Sequence, residues 1–179
     1  MKKTIKFFAI AVAAFGFAAG ASAQGGIDVN TTAEAHIITP LTVDKIADMD
    51  FGNVGVVAAV GTIVLATDAN RTGTGGATPA TPTGTVTAAE FDITGASGAE
   101  IAITIQGGPV AAAEIVVTHV TVPTESMNVN TFVTDPVSPF ALTGGSATIL
   151  IGATLNTGIS QLEGDYHTTD DFVVNINYY

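Results

Sequence analysis

From Ile27 to Ile37 the chain alternates strictly. Ile27, Val29, Thr31, Ala33, Ala35 and Ile37 fall on one parity, and Asp28, Asn30, Thr32, Glu34 and His36 on the other. A period of two is that of a strand with one buried face. At about 3.3 Å per residue the stretch reaches roughly 36 Å when extended. Such a strand must lay its apolar face in a groove, its own chain's or a neighbour's. The first case describes a secreted monomeric sandwich, the second a polymer subunit.

The same pattern recurs in short pieces along the chain. Thr39-Pro40 breaks it, Leu41 to Ile46 resumes it, and Asp48 to Val54 holds Met49 and Phe51 on one face before a Gly52-Asn53 turn. Gly61 to Ala66 reads as a compact strand. Arg71 to Ala89 is almost only Thr, Gly, Ala and Pro, which predicts a long loop with at most a short edge strand near Thr85 to Thr87. Phe91 to Ile105 predicts a β-hairpin turning at Gly95 to Gly98. Ile115 to Val122 is apolar in both phases and predicts a strand covered on both faces. Asn128 to Val133 and Ala147 to Leu155 follow as strands.

The chain closes on a patterned stretch, Gly164 to Tyr179. Tyr166, Thr168, Asp170, Phe172, Val174, Ile176 and Tyr178 share one parity, opposite Asp171, Asn175 and Asn177. Eight to ten short strands bounded by glycine and proline, with no credible helix, predict an all-β antiparallel immunoglobulin-like sandwich, with a jelly roll as the alternative. Val, Ile, Thr, Ala and Gly dominate and Trp is absent, which removes the usual material of amphipathic helices.

Composition changes the picture at the N-terminus. Residues 1–23 carry Lys2, Lys3 and Lys6, an apolar run from Phe7 to Ala19, and Ala21-Ser22-Ala23, the pattern of a signal peptide cleaved before Gln24. Residues 24–40 then form an N-terminal strand or donor extension, and 41–179 one sandwich domain. The expected product is exported through the inner membrane to the periplasm, cell surface or medium. Cleavage leaves Lys45 and Arg71 against all sixteen acidic residues, a formal charge of −14. Phosphate binding needs a Lys/Arg footprint, so nucleic acid is excluded as a partner and an anionic membrane is disfavoured. There is no cysteine, so the fold stands on its core.

Chemistry finds little to build on. No serine sits in a nucleophile elbow, and the glycines between Gly73 and Gly76 lack the Lys and helix of a phosphate loop. His36, His119 and His167 are scattered. Asp48 and Asp50 lack the spacing of a calcium loop and read as solvated turn residues. His167 with Asp165, Asp170 and Asp171 reads as a solvated acidic turn. No catalytic residue, cofactor or metal is expected.

The ordered blocks Met49-Asp50-Phe51-Gly52-Asn53-Val54, Gly61 to Leu65, Arg71 to Gly76, Phe91 to Gly95 with Gly98 to Ile105, and Gly152 to Asn156 with Gly158, Gln161, Gly164, Tyr166 and Phe172 to Tyr178 resemble the exported bacterial domain-of-unknown-function 4402 family. That family looks like a relative of spore-coat-U-type and chaperone-usher pilin domains. The resemblance implies an immunoglobulin-like fold, no catalytic residue, and a last strand with an aromatic near its end, where Tyr178 stands. It also makes a related pilin-like subunit or a periplasmic chaperone a candidate partner.

The expected function is that of a non-enzymatic structural subunit of a fimbria-like or surface assembly, joined to its own kind by strand addition. Ile27, Val29, Thr31, Ala33, Ala35 and Ile37 are the donor knobs, and Phe172, Val174, Ile176 and Tyr178 line or flank the receiving groove. The alternative is a monomeric secreted binding module, adhesin-like, that uses the Gly/Thr/Pro-rich loop.

Overall fold

The structure, a computed structural model, describes residues 27–168 and 172–179. The leader and its cleavage site lie outside these residues, as do Asp170 and Asp171. The chain divides at His36 into two units. In the first, the described residues have no regular secondary structure and are exposed. The second, Ile37–Tyr179, is all-β.

Among the described residues twelve strands follow in order: β1 (Thr42–Ala47), β2 (Val54–Leu65), β3 (Arg71–Pro79), β4 (Ala89–Thr94), β5 (Glu100–Ile105), β6 (Gly108–Pro109), β7 (Glu114–His119), β8 (Ser126–Asp135), β9 (Phe140–Ala141), β10 (Ser146–Thr157), β11 (Tyr166–Thr168) and β12 (Val174–Tyr178). They make two antiparallel sheets in a sandwich-like fold. The larger, strongly curled sheet runs β1-β4-β10-β8-β7-β11, with β2 also on β10 and β3 on β2. The smaller has β5 at its centre, between β12 on one side and β6 and β9 on the other. Helical structure among the described residues is limited to two 3₁₀ turns, Val110–Ala112 and Thr143–Gly145.

The twelve-residue β10 organises the large sheet. Its first half pairs with β4 and its second half with β2, along the same edge. The two neighbours meet at Gly152, where a Cβ would stand 2.3 Å from the Leu65 carbonyl oxygen. On the other edge the register with β8 shifts between Gly152 and Thr154, and Thr131 takes a positive φ of 52° in the extra residue of β8. A bulge of this kind bends the strand and increases local twist. Between the sheets lies a core of Ile63, Ile93, Ile101, Ile105, Val129, Phe132, Ile149 and Ile151, all but closed to solvent.

Five expectations require correction. The stretch Ile27 to Ile37 is not a strand in the single chain; its side chains are exposed, Ile37 at 94 %. Periodicity sets which side chains share a face, but a strand also needs an edge for its N–H and C=O groups. The Thr/Gly stretch from Arg71 is not a loop to Ala89, because its first nine residues form β3. Its glycines, which argued for a loop, permit close approach instead. A Cβ on Gly73 would lie 2.5 Å from the Ala77 carbonyl oxygen, and one on Gly61 of β2 would lie 2.2 Å from the Ala77 nitrogen.

Phe91 to Ile105 is not a hairpin either. β4 and β5 belong to different sheets, and the turn between them carries the chain across the core. Alternation marks an inward face without saying which sheet holds it. β7 is covered on one face only, with Ile115 buried and Val116 exposed. The closing stretch is also not continuous: β11 pairs with β7 in the large sheet, and β12 with β5 in the small one.

Candidate functional site

β4 and β5 are joined through the turn at 95–99 and lie in opposite sheets. Their neighbours on one side, β10 and β9, are themselves joined through the 142–145 turn, which is fastened by hydrogen bonds from Leu142 N–H to Ala99 O and from Gly95 N–H to Gly145 O. Their neighbours on the other side are β1 and β12. Each of these has one strand partner among the described residues, β4 for β1 and β5 for β12. Among the described residues, β1 and β12 are therefore the last strands of their sheets on this side.

The apolar side chains at these two edges are incompletely covered. Val174, Ile176 and Tyr178 of β12 pack against the core yet remain half-buried, as do Leu41 and Phe91. Val43 of β1 is 42 % exposed. The Tyr178 Oη accepts the Ala96 N–H at 2.7 Å and donates to Thr39 O at 2.6 Å. Gly95 leaves room for this ring, because a Cβ there would meet the Tyr178 Oη at 2.4 Å.

The two edges differ in chemistry. In β1, Lys45 sits opposite Phe91 and forms an ion pair with Asp48 at 2.7 Å. An edge strand carrying a lysine is a poor template for another chain. β12, with sequence Val-Asn-Ile-Asn-Tyr, has neither charge nor proline. Its direction of hydrogen bonding follows from its flanks, since Val173 O accepts from Gln106 N–H and Tyr179 N–H donates to Glu100 O, both toward β5. In an antiparallel ladder alternate residues turn their backbone groups the same way. Asn175 and Asn177 thus bond to β5, and Val174, Ile176 and Tyr178 present N–H and C=O to the open side.

Of the residues expected at the receiving groove, Val174, Ile176 and Tyr178 come together in β12. Phe172 precedes the strand and packs its ring against Phe132, with centroids 5.9 Å apart. The expected donor residues Ile27, Val29, Thr31, Ala33, Ala35 and Ile37 are exposed and outside any strand. Sequence reasoning missed the contribution of Val43 and Lys45 from β1. The signal was the short alternation Leu41-Val43, which has the same parity.

Elsewhere, Arg71 Nη1 donates to the carbonyls of Phe51 and Asn53, fixing the turn ahead of β2. A shallow hollow of about 480 Å³ lies beside it, bounded by Asn70, Pro79 and Thr83. Asp68, in the turn before Arg71, is held below the ordinary carboxylate range by hydrogen bonds from the Asn70 backbone and side chain. No group of three metal-ligating side chains occurs among the described residues.

Comparison with curated proteins and with solved structures found no match. Residues 41–178 match the family model described as a domain of unknown function, DUF4402, and the chain belongs to that family.

Proposed function

We propose that this protein is an exported, non-enzymatic structural subunit of a fimbria-like or cell-surface assembly, polymerising by β-strand addition. The observation that carries the reading is the outer edge of β12, which has no strand partner among the described residues. Its core-facing side chains are half-buried, and three consecutive open-side residues, Val174, Ile176 and Tyr178, offer backbone groups to an added strand. The alternating segment Ile27 to Ile37, exposed and without a strand partner, supplies the matching element for a second copy.

β12 spans five residues, about 17 Å, so the roughly 36 Å of an extended donor exceeds what its edge needs. Each backbone hydrogen bond made is worth a net of about 0.5–1.5 kcal/mol. At about 25 cal/mol per Å² of apolar surface, Thr31, Ala33 and Ala35 contribute less than Ile27 or Ile37. Backbone pairing therefore supplies a large share of the affinity. The leader pattern at residues 1–23 supports export, and a related pilin-like subunit or a periplasmic chaperone would fit the same edge. The test compares the leader-free chain with a deletion of Gly25 to Thr39 by light scattering over a range of concentrations. The intact chain should polymerise and the deletion remain a folded monomer. Polymers from the deletion, or none from the intact chain, would overturn the proposal, and a concentration-independent monomer would favour a binding module instead.

A further inference from the structure

His119 ends β7 and is 6 % exposed. Its Nδ1 accepts backbone N–H groups from Thr121 and Val122, both at 3.1 Å, with the Thr121 hydroxyl at 3.3 Å. A nitrogen that accepts two N–H donors carries no proton, so the ring is the neutral form with its hydrogen on Nε2. That Nε2 lies 3.1 Å from the carbonyl of Glu163, to which it donates. The ring thus adds side-chain bonds between the turn after β7 and the approach to β11, which also meet through the backbone bond from Val120 N–H to Asp165 O.

The surroundings are built around this ring. Gly164 lies against it, and a Cβ there would stand 2.2 Å from Nε2. The edge of Tyr166 meets it with centroids 5.0 Å apart at 86°. Val120 N–H donates to Asp165 O at 2.9 Å beside it, and β11 pairs Tyr166, His167 and Thr168 with His119, Thr118 and Val117. The titratable groups on the packed elements are Glu125, Glu163, Asp165, Tyr166 and His167. Glu163 meets the ring through its backbone carbonyl, and Glu125 accepts the His119 N–H through its own. The Glu125 carboxylate is directed at Gln161 Nε2, 3.5 Å away.

We infer that His119 is a proton-operated clamp: the neutral ring locks the 120–122 turn and the 163–168 segment together, and protonation releases them and frees the outer edge of β7. A proton on Nδ1 removes the only lone pair there and points an N–H at two other N–H donors. Those two donors lose their acceptor in a turn where Val122 is half-buried and Val120 and Thr121 are exposed, and carry part of the cost of unsatisfied groups. The clamp is separate from the β12 edge, and its test does not depend on strand addition.

The experiment is amide hydrogen exchange with ¹⁵N observation of the imidazole on the leader-free chain, between about pH 7.5 and pH 5, the span over which histidine commonly changes charge. After correction for intrinsic exchange, Thr121, Val122 and Val120 should lose protection by about tenfold or more in step with His119 protonation, followed by residues 166–168. His119→Asn places a non-titrating acceptor where Nδ1 stands, so it should keep protection at neutral pH and lose the pH dependence. Unchanged protection in the wild type while His119 titrates would overturn the inference, and so would the same pH-dependent loss in the Asn variant. If that variant does not fold, the wild-type measurement decides alone.

Discussion

Val43 of β1 stands directly opposite Ile93 of β4 in the antiparallel register, so both side chains share the inner face, yet Ile93 is 1 % exposed and Val43 is 42 % exposed. A step of one strand, about 5 Å, leads from the closed core to a partly exposed edge. The smaller sheet ends at β12, and among the described residues no further strand pairs with the outer edge of β1 or of β12.

Val174→Pro tests which backbone groups receive an added strand. The Val174 N–H faces the open side and its position is the first of β12, where proline is tolerated because no ladder bond to β5 is lost. The domain should remain folded with a stability loss of about 1–2 kcal/mol from reduced packing. Assembly, or binding of a synthetic peptide covering 25–39 to the deletion variant, should weaken severalfold. Undiminished peptide binding by calorimetry would move the receiving edge elsewhere.

Tyr178→Phe isolates the hydroxyl that joins Ala96 and Thr39. The variant keeps the ring but deprives the Ala96 N–H of its acceptor and Thr39 O of its donor. A loss of about 1–3 kcal/mol is expected from the partly buried Ala96 N–H left without a partner, since Thr39 is exposed to water. A denaturant midpoint that shifts without a change in m-value would register it as a pure stability effect.

Gly152→Ala probes the corner on which the large sheet turns. The added methyl would stand 2.3 Å from the Leu65 carbonyl oxygen, against backbone that cannot rotate away. Overpacking at such a place costs about 1–3 kcal/mol and sometimes more. A clear fall in thermal midpoint is expected, whereas Gly98→Ala, where no atom lies within 4 Å, should lose only what its positive φ of 80° imposes. Equal effects of the two substitutions would contradict the close approach at Gly152.

The sequence by itself determined the all-β class, the inward parity of most strands and the family. These follow from local patterning, since Ile101, Ile103 and Ile105 in β5, or Val174, Ile176 and Tyr178 in β12, share a face under any register that buries them. Only the tertiary structure decided which sheet each strand joins and where the sheets end. Phe91-Ile93 and Ile101-Ile103-Ile105 carry the same period on either side of a tight turn, but β4 and β5 face each other across the core. The closing alternation likewise divides between β7 and β5. Gly73 looked like a loop residue because glycine is permissive in isolation, and close backbone contact gave it a place in a strand. A period of two describes one chain's relation to a surface, whereas an open edge depends on all the strands together. That is why the alternation at Ile27 to Ile37 was legible and the unpaired edge of β12 was not.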